Sequence, residues 1–273
     1  MIRIIVNGAN GRMGVEVEKI AAGDDGIMVA ALSDISGDGV SCFRSLADIP
    51  ASTAADVIID FSHHSAVHDV LSCAVSRNIP AVIATTGHTA EEKELIREAS
   101  EKIPVFFSAN MSLGVAVLAK LAVTAASAFP EADIEIVETH HNRKKDAPSG
   151  TALMLAEAIS RARPGSHICA ESGTRGLRDR NEIGISSVRR GGITGIHEIL
   201  ISTDSQTLTL KHEAHSRTLF AEGAISAARF IAGKGPGLYG MSDLAAAADP
   251  DGDPVGERGQ DYRSVKKEQR TER

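Results

Sequence analysis

Apolar runs and helical repeats alternate along the first 110 residues. Ile2-Arg3-Ile4-Ile5-Val6 is almost continuously apolar and reads as a buried strand, and Val15 to Ala22 has helical spacing. Met28 to Leu32, Ala55 to Phe61, Ala81 to Ala84 and Val105 to Ser108 repeat the strand pattern. Helical spacing fills 65–77 and 90–101. Nearly continuous apolar strands alternating with helices predict a parallel sheet covered on both faces.

The pattern changes after Asn110. A long helix is predicted from Leu113 to Ala128, a strand from Ala132 to Glu138, and a helix over Thr151 to Ile159. Ile183–Val188, Ile196–Ser202 and Thr207–His212 alternate or are β-branched, which predicts an open, mainly antiparallel or mixed sheet. Arg217 to Ala232 returns to helical spacing and is expected to pack back on the first unit. From Asp249 the chain is polar, with Gly, Pro and mixed charge, and cannot offset its own ordering entropy. The expected division is 1–110 with 217–248 as one domain, 111–216 as a second, and 249–273 as a disordered tail.

Composition narrows the function classes. A net charge of −7 and the absence of Trp, with two Tyr and seven Phe, argue against a nucleic-acid surface. Cys42, Cys73 and Cys169 are odd in number and scattered. They read as reduced thiols, and no metal site is expected. There is no signal-peptide pattern and no apolar run of membrane-spanning length, so a cytoplasmic protein without membrane contact is expected.

Gly8, Gly11 and Gly14 follow the first strand and open a helix, a G-x-x-G-x-x-G variant of the dinucleotide fingerprint. Glycine allows a tight turn and close approach to a pyrophosphate, and the helix N-terminus supplies free N–H groups. Asp34 ends the second strand 20 residues after Gly14, where an acid can hold an adenosine ribose. It would repel a 2′-phosphate, so NADH is favoured, although Arg12 in the loop leaves NADPH open. Thr85-Thr86-Gly87 and Ser108-Ala109-Asn110-Met111 lie at later strand ends, placed to flank a nicotinamide. His63 and His64 read as ordinary loop or helix-start residues. The fold class expected is α/β: a Rossmann-like parallel-sheet dinucleotide-binding domain plus an α+β domain with an open mixed sheet.

The densest chemistry lies in residues 140–151. His140, His141, Arg143, Lys144 and Lys145 gather basic groups that repel one another, which folding alone does not require and an anionic ligand would reward. An imidazole there can donate a proton, and Lys144 can meet a carboxylate or give a second proton. Asp146 offsets part of the charge, and Arg143 and Lys145 read as bystanders. Pro148-Ser149-Gly150-Thr151 begins a helix, where the N–H groups of Gly150 and Thr151 make a carboxylate seat. Arg189-Arg190-Gly191-Gly192 reads either as a hairpin with solvated arginines or as a turn presenting a guanidinium to a carboxylate. His212, His215 and Arg217 read equally as cleft-lining or as surface residues.

Taken together, Gly8-Ala9-Asn10-Gly11-Arg12-Met13-Gly14, Ala84-Thr85-Thr86-Gly87, Ser108-Ala109-Asn110-Met111-Ser112, Glu138-Thr139-His140-His141, Lys144 with Asp146-Ala147-Pro148-Ser149-Gly150-Thr151, and Ser216-Arg217 resemble the 4-hydroxy-tetrahydrodipicolinate (dihydrodipicolinate) reductase family. The resemblance runs from residue 2 to about 244. It implies hydride transfer from NADH or NADPH to C4 of a cyclic unsaturated dicarboxylate imine, in lysine and diaminopimelate biosynthesis, by a homotetramer. It further implies His140 as proton donor, Lys144 as second proton donor, His141 as a substrate contact, and Gly150 with Thr151 as the carboxylate-binding pair. Gly8 to Met13, Thr85 to Gly87 and Ser108 to Met111 match cofactor contacts. The family often follows its acid with a base after the second strand. Here Asp34 is shifted by one position and Ile35 follows it.

Overall fold

Ile4, Val6, Val57, Ile59, Val82 and Phe106 belong to one hydrophobic cluster, and their strand neighbours Ile5, Ile58, Ala81, Ile83 and Val105 belong to another. Successive strand residues point to opposite faces, so this split is what an apolar run produces when both faces of a sheet are covered. The computed structural model describes residues 1–170 and 177–248. The tail expected to be disordered lies outside the described residues.

The chain begins β1 (Ile2–Asn7), α1 (Arg12–Ala22), β2 (Ile27–Ser33), β3 (Val57–Asp60), α2 (Val67–Arg77), β4 (Ala81–Ile83), α3 (Ala90–Ser100) and β5 (Pro104–Phe107). It continues with α4 (Leu113–Ala128), β6 (Asp133–His140), α5 (Gly150–Ala162), β7 (His167–Cys169), β8 (Glu182–Arg189), β9 (Gly195–Ser202) and β10 (Thr207–Ala214). It closes with α6 (Thr218–Ile231), β11 (Gly237–Tyr239) and α7 (Met241–Ala247). The spacing-based reading did not find β7, β11 or α7. Two of these are three-residue strands, too short to show a period.

The first sheet has the order β11-β5-β4-β3-β1-β2 and is parallel throughout. Its strands therefore all end on one side, and the loops after β1, β3, β4 and β5 meet there. α1 and α6 pack against each other, and α6 buries a small-residue face of Ala221, Ala224, Ala227 and Ala228 in the first cluster. α2 and α3 pack together by the second cluster.

The second sheet has the order β10-β9-β6-β8-β7 and is mixed: β6, β8 and β7 run parallel, whereas β9 opposes β6 and β10. Among the described residues, helices cover one face. Ile134, Ile136, Ile183, Ile185, Ile199 and Ile201 pack with Leu118 and Ala122 of α4 and Leu155 and Ile159 of α5. Each fully buried isoleucine of this kind contributes roughly 1.5–3 kcal/mol. Across the pleat, Glu135 accepts from Ser186 at 2.7 Å and from Arg178 at 2.9 Å, and Lys211 lies 3.4 Å from Glu198. This is the alternation expected of a sheet with one uncovered face. Among the described residues no helix is long and apolar enough to cross a membrane.

Candidate active site

The glycine loop closes over the end of β1. The N–H groups of Gly8 and Ala9 both donate to the Ser33 carbonyl, at 2.8 and 3.1 Å, tying the loop to the end of β2. Gly8 has φ +78°, and a Cβ there would lie 2.7 Å from the Phe61 backbone. A Cβ on Gly14 would lie 2.3 Å from the Gly8 carbonyl oxygen, so the helix can meet the turn only without one. α1 has no side-chain cap at Gly11, which leaves its first N–H groups to a ligand.

Asp34 sits at the rim of this loop. It accepts from Asn10 N–H at 3.2 Å, and from the Ser36 N–H and hydroxyl at 2.9 and 2.7 Å. Partial burial pushes its carboxyl up, but these hydrogen bonds outweigh it and hold Asp34 below the usual carboxylate range. A cleft of about 530 Å³ runs from Gly8, Gly11 and Asp34 to Arg44 and His63. A second, of about 390 Å³, is lined by Met13, His63, Thr85, Thr86, Ala109 and Met111. Phe61, Ser62 and His63 border both, so one trough crosses the carboxyl ends of β1, β3 and β4. Gly8, Gly11, Met13, Asp34, Thr85, Thr86, Ala109 and Met111 thus line one trough, whereas Ala9, Asn10, Arg12, Gly87, Ser108 and Asn110 line neither cleft.

Among the residues of this trough, Arg44 was not read from the sequence and His63 was read only as a loop or helix-start residue. Arg44 reaches the Asp34 cleft because Phe43 returns to bridge Ser33 after a loop. His63 is the expected turn-start residue, with Nδ1 accepting the Ser65 N–H at 3.3 Å, and it also walls both clefts. Beneath them lies Asp60, fully buried. It accepts from Asn7 Nδ2 at 2.8 Å, the Ser62 hydroxyl at 2.6 Å and the Thr85 hydroxyl at 2.7 Å, joining the loops after β1, β3 and β4.

The basic loop follows β6. His140 is its last residue and is 8% exposed, so only an edge of the ring is open. Its Nδ1 lies 2.5 Å from Oε2 of Glu138, two residues earlier on the same face of the strand and fully buried. Glu138 also accepts from Arg189 Nη1 and Nη2 at 2.8 and 2.7 Å, from the Ser187 hydroxyl at 2.8 Å, and from Ser149 N–H at 3.1 Å. Burial raises the Glu138 carboxyl, but the bonds from Arg189, His140 and Ser187 prevail and bring it to about 2. Arg189 therefore meets a carboxylate of the protein itself rather than solvent, and β8 and β9 do not form a hairpin, because β6 lies between them. Arg189 Nη2 also donates to the Asp146 carbonyl at 2.6 Å, holding down the loop.

Lys144 pairs with Asp146 at 2.8 Å and is 22% exposed. Burial, then the charges of Arg143 and Arg217, hold the His141 imidazole below its ordinary range. Arg143 and Lys145 point to solvent. Ser149 caps α5, accepting the Ala152 N–H at 3.2 Å, so the helix begins at Gly150. Nothing lies within 4 Å of where a Gly150 Cβ would stand, so packing does not require glycine there. Asn110 Nδ2 donates to the Thr151 hydroxyl at 3.0 Å and connects the loop after β5 to the start of α5.

His197, on β9, packs edge-on to His140 with ring centroids 5.2 Å apart, and its Nε2 lies 3.3 Å from the Ser149 hydroxyl. Burial, with His140 adding to it, depresses His197 to about 4. The unfolded chain therefore binds a proton below about pH 6.5 that the folded chain refuses until about pH 4. The stability this gives is complete above pH 6.5 and falls as the pH drops through that window. Urea midpoints measured from pH 7 to 4.5 are expected to fall less steeply in His197→Gln than in the native chain. The largest difference in slope is about 1.4 kcal/mol per pH unit. Parallel curves would contradict a neutral buried His197.

Two family models match in tandem: "Dihydrodipicolinate reductase, N-terminus" over residues 2–111 and "Dihydrodipicolinate reductase, C-terminus" over 114–245. The 4-hydroxy-tetrahydrodipicolinate reductase of Caldanaerobacter subterraneus subsp. tengcongensis is 45% identical over 247 residues, covering 89% of this chain and 98% of its own. That of Alkaliphilus oremlandii is 42% identical, covering 88% and 97%. Among solved structures, dipicolinate-bound dihydrodipicolinate reductase from Paenisporosarcina sp. TG-14 superposes with a TM-score of 0.77 at 28% identity, covering 89% of this chain and 99% of its own. With both halves matched in order over almost all of the described residues, the chain belongs to the dihydrodipicolinate reductase family.

Proposed function

We propose that this protein reduces 4-hydroxy-tetrahydrodipicolinate, through its dehydrated form, to tetrahydrodipicolinate, in lysine and diaminopimelate biosynthesis. The observation that carries this reading is the hydrogen bond from Asn110 to Thr151, which joins the nicotinamide-side loop to the seat for a carboxylate. The curated relatives carry the same activity in their names, and the related solved structure binds dipicolinate, a planar dicarboxylate.

The trough fits a pyridine dinucleotide: glycines keep Cβ atoms out of the turn, and the N-terminus of α1 is uncapped. Gly8 to Met13 would hold the pyrophosphate, Asp34 the adenosine ribose, and Thr85 to Gly87 with Ser108 to Met111 the nicotinamide end. When bound, the reduced nicotinamide supplies a hydride. His140 supplies the proton, Lys144 supplies charge and a second proton, and His141, Gly150 and Thr151 hold a substrate carboxylate. Residues 1–110 with 217–248 form the cofactor domain, and 111–216 the substrate and oligomerisation domain of a cytoplasmic homotetramer.

Asp34 favours NADH, and Arg44 in the same cleft offers a 2′-phosphate a partner, so NADPH is used less well. The test is a steady-state assay of both cofactors with enzymatically generated substrate; failure to oxidise either one refutes the activity. In Asp34→Ala, KM for NADH is expected to rise by about 10-fold, the loss of one or two hydrogen bonds to a charged acceptor, and KM for NADPH to rise less. Equal changes would remove Asp34 from the ribose.

A further inference from the structure

Every partner of Glu138 is a donor. Its ionised carboxylate has no proton to give, so the short contact with His140 has one polarity: Nδ1–H donates to Oε2. A neutral His140 ring then carries its proton on Nδ1, leaving the lone pair on Nε2. Nε2 faces the backbone of Gly195, where a Cβ would come within 3.0 Å, so the ring edge sits in a slot that any larger residue would narrow. Glu138 cannot turn away from this contact. Arg189 grips both its oxygens, and strand register places Arg189 directly beside His140 on the paired strand.

We propose that Glu138, clamped by Arg189, is a positioning residue that fixes the tautomer of His140 and keeps Nε2 as the nitrogen that exchanges its proton with substrate. The proposal rests on the proton-donor role given to His140 above. In the donating step the proton leaves Nε2 for the substrate carbon and its bonding pair stays on Nε2. The other proton stays on Nδ1 and is donated to Glu138 throughout. The ring returns from that step in the one tautomer able to accept the next proton at the same atom. A Glu138 that served only to satisfy Arg189 would make no such demand on the imidazole.

Glu138→Gln separates the two. Arg189 Nη2, Ser187 and Ser149 N–H all donate to Oε1, whereas only Arg189 Nη1 and His140 meet Oε2. The amide oxygen therefore keeps the three donors, and the NH2 group turns to Nδ1 at the loss of the Nη1 bond. The expected result, read by ¹⁵N shifts of labelled histidine at alkaline pH with His140→Gln assigning the signal, is a reversal from the Nδ1–H to the Nε2–H tautomer. kcat is expected to fall by about 10- to 100-fold, with substrate KM within about threefold. In the His140→Gln background the same change should alter kcat by less than about threefold, since the residue acted upon is gone.

An unchanged tautomer in a folded Glu138→Gln overturns the proposal, as does an undiminished further loss in the His140→Gln background. If Glu138→Gln does not fold, Glu138→Gln with Arg189→Gln removes both charges together and is judged by the same readouts. The native chain is itself a test, because an Nε2–H tautomer there is sufficient to reject the idea. Near-native turnover in His140→Gln would instead reject the proton-donor role, and the ¹⁵N shifts would still decide the positioning.

Discussion

Turnover in His140→Gln is expected to fall by about 10²-fold or more, the usual loss when a general acid is removed, with NADH affinity unchanged. The ring lies in the second unit of the fold, at the end of β6, whereas the dinucleotide trough is lined by the first sheet's loops and by Phe220 of α6. Glutamine is close in size to the imidazole and can bond to Glu138, so the buried carboxylate is not left without its donor. Lys144→Ala should lose about as much, but with a rise in substrate KM as well, because the ammonium held by Asp146 at 2.8 Å is also the group proposed to meet the anionic substrate. Steady-state kinetics and equilibrium NADH titration of both variants check this. Native turnover in both would remove them from the chemistry.

Asp60→Ala is expected to be the most destabilising single change in the cofactor trough. It strands the Asn7 amide, the Ser62 hydroxyl and the Thr85 hydroxyl, and Asn7 and Thr85 are buried. A stranded buried donor costs about 1–3 kcal/mol, so the expected loss is roughly 3–5 kcal/mol. It appears as a lower urea midpoint at unchanged m value. The same change frees the loops after β1, β3 and β4, so NADH affinity should fall with it. A loss under about 1 kcal/mol would show that water replaces the carboxylate and that Asp60 does not organise these loops.

Asp60 is legible in the sequence only as the end of an apolar strand, because two of its partners lie 53 residues before it and 25 after it. The glycine loop was legible because its turn, its close approach and its helix start are all local. The 140–151 cluster was legible as an excess of like charge within twelve residues. Glu138 lay two residues from His140 in plain view, but its anchor is Arg189, 51 residues on, which was left open between solvent and a carboxylate. Arg44 is not legible for a related reason: no base directly follows Asp34, and a loop delivers one ten residues later.

Local chemistry therefore established the alternating strands and helices, the parallel sheet, the dinucleotide turn and the residues of the basic loop. These follow from spacing, backbone sterics and charge density, which act over a few residues. Tertiary structure alone placed His140 beside Arg189 by strand register, Asn110 against Thr151 where a loop meets a helix start, and Arg44 in the cleft of Asp34. Such pairings depend on how distant segments pack, and nothing in the spacing of either segment encodes the other.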